Sequence, residues 1–284
     1  METKVSTPKK EVIISIDRPT VLIGERINPT GRKKLTEALK AGDLEIVRKE
    51  AITQVEAGAD IIDCNVNAPG VDDVALLPKA VKMVMEAVDA PICIDSPNTD
   101  AIEAALKIYK GKPLINSVSG ETHSLKRVLP LVKEYGAAVI GLVQDDDGIP
   151  KNADRRVAIA HKIVEAAEKA GVPREDVVID VLTFAIGAEA NSGKDVLEAI
   201  RRIREELGVN MTMGASNISF GMPDRPIINN AWVSMVISAG ATALIVDAAR
   251  VKPSVLATDL VLGRDRFARR FIEDHRKRQQ QSQG

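Results

Sequence analysis

Four short apolar runs end on an acid or an amide: Ile92-Cys-Ile-Asp95, Leu114-Ile-Asn116, Val177-Val-Ile-Asp180 and Met211-Thr-Met-Gly214-Ala-Ser-Asn217. Two carboxylates and two carboxamides brought together suit a flat heterocycle rich in N–H donors. Convergence requires strands that all end at one rim, as they do in a barrel of parallel strands. Each residue also has a local use. Pro97 stops the ladder after Asp95 and turns the chain, so the carboxylate either faces the rim or caps the next helix. Asn116 either closes an Asx-turn or joins the rim. Asp180 follows three β-branched residues with no helix start beside it to cap, which favours a ligand as its partner. Asn217 follows Gly214-Ala-Ser, small residues that let a ligand approach the backbone.

Two further clusters fall at the same rim. Ile23-Gly-Glu25-Arg26-Ile-Asn28-Pro-Thr-Gly31 mixes an acid, a base and an amide in a loop stiffened by Pro29, and Asp60-Ile-Ile-Asp63-Cys-Asn65-Val-Asn67 alternates polar groups on one face. Both also read as loop scaffolding, with Glu25 and Arg26 paired to neighbouring charges. Other catalytic devices are missing from the sequence. His123, His161 and His275 lack metal-ligand spacing, and neither a Ser-His-Asp order nor a glycine-rich phosphate loop can be assembled. Cys64 and Cys93 sit inside apolar runs and read as core thiols.

Positioning these groups takes a repeating unit. An amphipathic helix, a Gly and a short β-branched run recur at Gly58, Gly136, Gly171 and Gly240, the punctuation of helix-to-strand junctions. Apolar runs place strands at Val21–Gly24, Ile61–Cys64, Ile92–Ile94, Leu114–Ile115, Ala138–Val143, Val177–Ile179, Met211–Gly214 and Leu244–Val246. Eight buried strands alternating with helices predict an α/β fold, a single (β/α)8 TIM barrel. No Pro/Gly/Ser-rich linker divides the chain, so residues 1–284 are expected to form one domain, with flexible ends at 1–10 and 276–284.

Composition narrows the partners. Of the 284 residues, 45% are hydrophobic, enough for a large core, while 39 basic residues nearly balance 40 acidic ones. With aromatics at only 2%, stacking platforms for nucleic acid are lacking. No segment has the length or apolarity of a membrane span, and no apolar stretch follows the first charges, so a cytoplasmic protein acting on a small molecule is expected.

Taken together, Ile23-Gly-Glu-Arg-Ile-Asn28-Pro-Thr-Gly31, Asp63-Cys-Asn65, Ile92-Cys-Ile-Asp95-Ser, Leu114-Ile-Asn116-Ser, Asp180 and Gly214-Ala-Ser-Asn217-Ile-Ser-Phe220-Gly-Met-Pro-Asp-Arg225-Pro resemble the pterin-binding methyltransferase family. That family includes methyltetrahydrofolate:corrinoid protein methyltransferases and the folate module of cobalamin-dependent methionine synthase. The resemblance runs from about Val21 to about Val261. It implies methyl transfer between tetrahydrofolate and the cobalt of a corrinoid (cobalamin) carried by a separate partner protein, because the chain lacks the Asp-x-His-x-x-Gly signature of a corrinoid domain. It further implies that Asp95, Asn116 and Asp180 anchor the pterin and that Asn217 reaches the methyl-bearing nitrogen. Asn28, Asp63, Asn65 and Arg225, in the same motifs, become candidate substrate contacts, and a homodimer is expected. Phe220 matches the methionine synthase type, whereas some relatives carry a Gln that contacts the pterin. Two alternatives are a dihydropteroate synthase-like pterin enzyme, which would need late basic residues such as Arg250 and Lys252 for pyrophosphate, and a non-catalytic folate-binding subunit.

Overall fold

The computed structural model describes residues 1–283, with side chains through residue 280. Two strands, β1 (Thr3–Ser6) and β2 (Glu11–Ile14), form an antiparallel hairpin. Eight parallel strands follow: β3 (Val21–Ile27), β4 (Ile61–Asn65), β5 (Ile92–Asp95), β6 (Leu114–Ser119), β7 (Ala138–Leu142), β8 (Val177–Asp180), β9 (Asn210–Thr212) and β10 (Ala243–Val246). They hydrogen-bond in chain order, with β10 beside β3. The seam between β9 and β10 closes through Thr242 N to Met211 O at 3.1 Å, Ile245 N to Met213 O at 2.9 Å and a bridge from Gly214 to Ile245. The expected eight-stranded barrel is therefore present, each strand within a few residues of its predicted span.

Helices α1 (Lys33–Lys40), α2 (Glu45–Ala57), α3 (Asp73–Ala87), α4 (Thr99–Leu106), α5 (Thr122–Tyr135), α6 (Ala153–Lys169), α7 (Ser192–Glu206), α8 (Arg225–Ala239), α9 (Ala248–Val261) and α10 (Arg269–Gln283) complete the chain. Side chains of Asp72, Asn98 and Asn152 cap α3, α4 and α6 by accepting from exposed helix-start N–H groups. Gly58 and Gly136 end α2 and α5 at φ 105° and 60°, in the left-handed region where a Cβ is unfavourable.

The period of two in the strands sorts two cores. Leu22, Ile62, Ile94, Ile115, Val139 and Ile179 point outward onto the helices. Ile23, Ile61, Cys93, Leu114, Ile140 and Val178 fill the barrel interior. The opening residues, expected to be flexible, instead belong to this inner core. Val5, Val12 and Ile14 of the hairpin join it, and Asn210 Nδ2 donates to Thr3 Oγ1 and Ile14 O, both at 2.9 Å. The hairpin thus plugs the N-terminal floor. At the other end, residues 276–283 continue α10 as helix where frayed chain was expected; Gly284 lies outside the described residues. No described helix is long and apolar enough to cross a membrane.

Candidate active site

The alternation that fills the barrel interior also aims the rim. Two residues on from the inward Ile61, Cys93, Leu114 and Val178 stand Asp63, Asp95, Asn116 and Asp180, so all four share the interior parity, as does Asn65. Register sets Asn65 beside Asp95 and Asp95 beside Asn116 across three adjacent strands. Asn65 Nδ2 donates to Asp95 Oδ2 at 2.8 Å while its own oxygen accepts from Asn67 N at 2.8 Å. Asn116 Nδ2 donates to Asp63 Oδ1 at 3.3 Å. Asn65 therefore serves to orient Asp95, which also lies within hydrogen-bond reach of the Asp63 carboxyl.

Asp180 is 7% exposed and accepts from Leu182 N at 2.8 Å. Its strand neighbour in register is Thr212, whose hydroxyl is buried without a partner. A buried polar group left unpaired is unfavourable, so this side of the rim is incomplete until a polar molecule enters.

Burial drives the charges of these acids. It pushes Asp180 up to about 7, opposed only by the Leu182 N–H. Asp95 is pushed up to about 6 by burial, against the amide donated by Asn65. Asp63 is driven well above the carboxylate range, first by burial and then by the neighbouring Asp95. Of this close pair, Asp63 keeps its proton and Asp95 ionises first.

Past β9 a single 3-10 turn, Ala215–Ser219, carries Asn217. Its side chain is exposed, lies over Gly214 and has no hydrogen-bond partner among the described residues. A Cβ on Gly214 would come within 2.8 Å of the Asn217 amide nitrogen, so only Gly leaves that amide where it stands. Arg225, a candidate substrate contact, braces the turn: it donates to Ser219 Oγ and to Ser216 O, each at 2.9 Å, and its guanidinium lies 5.7 Å from the ring of the exposed Phe220. Asn28 uses its oxygen on Thr30 N at 3.0 Å, closing the loop after β3. A cavity of about 380 Å³ opens from Asp95 and Asn116 toward α4 and α5, with Ser119, Arg127 and Gln144 in its wall; Asp180 and Asn217 lie outside it.

Sequence reasoning left Glu25 open between the rim and a paired loop charge. In the structure it accepts from Ser216 Oγ at 3.2 Å, tying the loop after β3 to the Asn217 turn, and burial pushes its carboxyl up. The signal was available: Glu25 is two residues on from the inward Ile23. Thr212 was likewise legible only from parity, being two residues on from the inward Asn210.

The sequence pattern of the pterin binding enzyme family matches residues 24–247. The methylcorrinoid:tetrahydrofolate methyltransferase of Eubacterium limosum is 32% identical over 268 residues, 90% of this chain and 96% of that protein. The methionine synthase of Mycobacterium tuberculosis is also 32% identical, over 89% of this chain but only 22% of its own length. Among solved structures, the dihydropteroate synthase of Xanthomonas albilineans superposes with a TM-score of 0.69 over 92% of this chain and 98% of its own, at 19% identity, a likeness of fold alone. The rim acids, the barrel that aims them and a sequence match spanning both place this chain in the pterin-binding enzyme family.

Proposed function

We propose that the protein transfers a methyl group between the methyl-bearing nitrogen of tetrahydrofolate and the cobalt of a corrinoid held by a separate protein. The observation that carries the reading is the inward row of Asn65, Asp95 and Asn116, with Asp180 on the same parity. The relative named methylcorrinoid:tetrahydrofolate methyltransferase, similar over nearly its full length, supports it.

The row suits a pterin edge. Its amino group and ring N–H groups donate to the carboxylates of Asp95 and Asp180, the Asn116 oxygen accepts a further N–H, and Thr212 gains a partner. Each buried acid then exchanges an unfavourable solitary charge for charge-assisted hydrogen bonds. The ring is thereby fixed with its methyl-bearing nitrogen toward the mouth, where the unpartnered Asn217 amide stands.

A tertiary amine leaves only if its nitrogen takes up a proton as the bond to carbon breaks; the bonding pair stays on the nitrogen, the methyl passes to the partner's corrinoid, and water at the open barrel mouth supplies the proton. Asn217 is not an acid, but it donates a hydrogen bond that strengthens as negative charge develops on that nitrogen, which favours the transition state over the ground state. The partner's reduced corrinoid supplies the nucleophile, and no residue of this chain is assigned to its cobalt. The same contacts serve both directions of transfer.

Dihydropteroate synthesis is the weaker reading. Its pyrophosphate needs free cations late in the chain, yet Arg250 pairs with Asp247 at 3.2 Å and Lys252 with Asp274 at 3.0 Å. Action in the cytoplasm as a homodimer completes the proposal; a monomer in light scattering at micromolar concentration would remove the dimer from it. The decisive experiment follows the corrinoid spectrum of a methylated corrinoid protein mixed with enzyme and tetrahydrofolate. Demethylation should depend on the enzyme, and Asn217→Ala should slow it by about 10²-fold or more at saturating folate. An unchanged rate in that variant removes Asn217 from the mechanism.

A further inference from the structure

Arg156, on α6, is 0% exposed and has no carboxylate in ion-pair contact among the described residues. A buried guanidinium is tolerated only when its donors are satisfied. Here they are spent on main-chain carbonyls: Nε donates to Val181 O at 3.0 Å, Nη2 to Leu182 O at 3.2 Å and Nη1 to Lys151 O at 3.0 Å. The ring of Phe184 lies 5.7 Å from the guanidinium carbon. The fork therefore ties together the segment entering α6 and the segment leaving β8.

The second of those segments carries an unusual backbone. Leu182 stands at φ 52°, a left-handed conformation that a side chain this large avoids. That turn directs the Leu182 N–H back to Asp180 Oδ1 at 2.8 Å, the one hydrogen bond that the structure gives the Asp180 carboxylate. A conformation disfavoured locally persists only where its surroundings hold it. What holds it here is a cation clamped on the carbonyls of Val181 and Leu182.

We propose that Arg156 is a positioning residue: by gripping the carbonyls of Val181 and Leu182 it holds the left-handed turn whose N–H aims Asp180 into the barrel mouth. The importance of Asp180 to the substrate rests on the pterin reading; the grip itself does not. Lysine is no substitute, because an ammonium on a flexible stem does not present a planar fork to three carbonyls.

The test compares Arg156→Met and Arg156→Lys with Val84→Ala, a cavity in the outer core beneath α3, beside β4 and β5 and away from β8, that lowers stability without reaching the turn. Two quantities are read at matched distance below each variant's melting temperature: hydrogen exchange of the Leu182 amide, and affinity for methyltetrahydrofolate. Arg156→Met should speed Leu182 exchange at least tenfold relative to Val84→Ala and weaken folate binding by about 10- to 100-fold, with kcat at saturation reduced far less. Arg156→Lys should fall between, and it carries both measurements if the Met variant does not fold. Leu182 exchange equal to that of the control overturns the proposal, and so does fast exchange with wild-type affinity. If the wild-type protein binds no folate, the pterin reading fails by itself, and Leu182 exchange alone decides whether Arg156 holds the turn.

Discussion

Pterin affinity should rise steeply between pH 6 and pH 8, and Asp180 sets most of that slope. Burial holds Asp180 up to about 7, and Asp95, pushed up by burial against the Asn65 amide, stands at about 6. A ring that presents N–H donors binds the ionised carboxylates, so the apparent Kd is the intrinsic one divided by the ionised fraction. With a midpoint of about 7, Asp180 is about 0.1 ionised at pH 6 and about 0.9 at pH 8, a factor of roughly ten. Asp95 contributes a further factor of about two over the same range. Binding at pH 8 should therefore be roughly 20-fold tighter than at pH 6, with proton release near pH 7. Titration calorimetry in two buffers of different ionisation enthalpy measures both quantities. Asp180→Asn should remove the factor of ten and leave about two. The linkage to folding runs the opposite way. The folded protein holds the Asp180 proton more tightly than the unfolded chain, so its contribution is complete below about pH 4 and is lost as the pH rises through about 7. Raising the carboxyl from 3.8 to about 7 sets a ceiling of about 4 kcal/mol on that loss. Asp180→Asn, neutral throughout, should accordingly stabilise the ligand-free protein at pH 8 while weakening its hold on folate. An affinity flat from pH 6 to pH 8 with no proton released would refute the reasoning.

Asn65→Leu removes the amide that lowers Asp95, so the lower limb of the affinity curve should move to higher pH; binding titrations from pH 5 to pH 8 would detect it, and an unmoved limb would mean that Asn65 does not tune Asp95. Gly24→Ala would bring a Cβ to 2.5 Å from Gln54 Oε1, which accepts from Arg26 N at 2.7 Å. Overpacking there should lower stability by about 1–3 kcal/mol in chemical denaturation, and a neutral effect would show that Gln54 moves aside freely. Deleting residues 1–14 removes Val5, Val12 and Ile14 from the inner core and should lower stability by at least about 4 kcal/mol; an unchanged denaturation midpoint would deny the hairpin its role as a plug.

The barrel was legible because a parallel sheet covered by helices needs strands buried on both faces. Continuous runs such as Val177-Val-Ile-Asp180 announce that directly. Strand ends marked by an acid or amide were legible for the same reason, since a polar residue closing an apolar run has few places to go but the rim. The floor was not. Val5, Val12 and Ile14 are separated by charged and turn residues over a short stretch, too little periodicity to distinguish a plug from a loose end. The bracing of the Asn217 turn by Arg225 was hidden for a different reason: a motif fixes where a residue lies along the chain, but not which of several nearby acceptors its guanidinium takes. Arg156 gave no signal at all, because an Arg in the first turn of a helix pattern reads as a solvent-facing charge until its burial is known.

Glu25, Asp63, Asp95 and Asp180 all face the interior of one barrel, and none forms an ion pair with a cation among the described residues. Four buried acids without cations oppose folding, and apolar residues of similar volume would serve stability better. Their arrangement makes sense if a ligand supplies the missing donors, and the ligand must then be donor-rich along the edge that meets these acids. A pyrophosphate-bearing pterin would need free cations besides, and the late cations Arg250 and Lys252 are already committed to Asp247 and Asp274. A folate whose reacting substituent is a methyl group needs none at its reacting end. Proton release on binding, set against competition by pyrophosphate, would therefore separate the two substrates before any product is measured: the methyl-transfer reading requires the first and predicts indifference to the second.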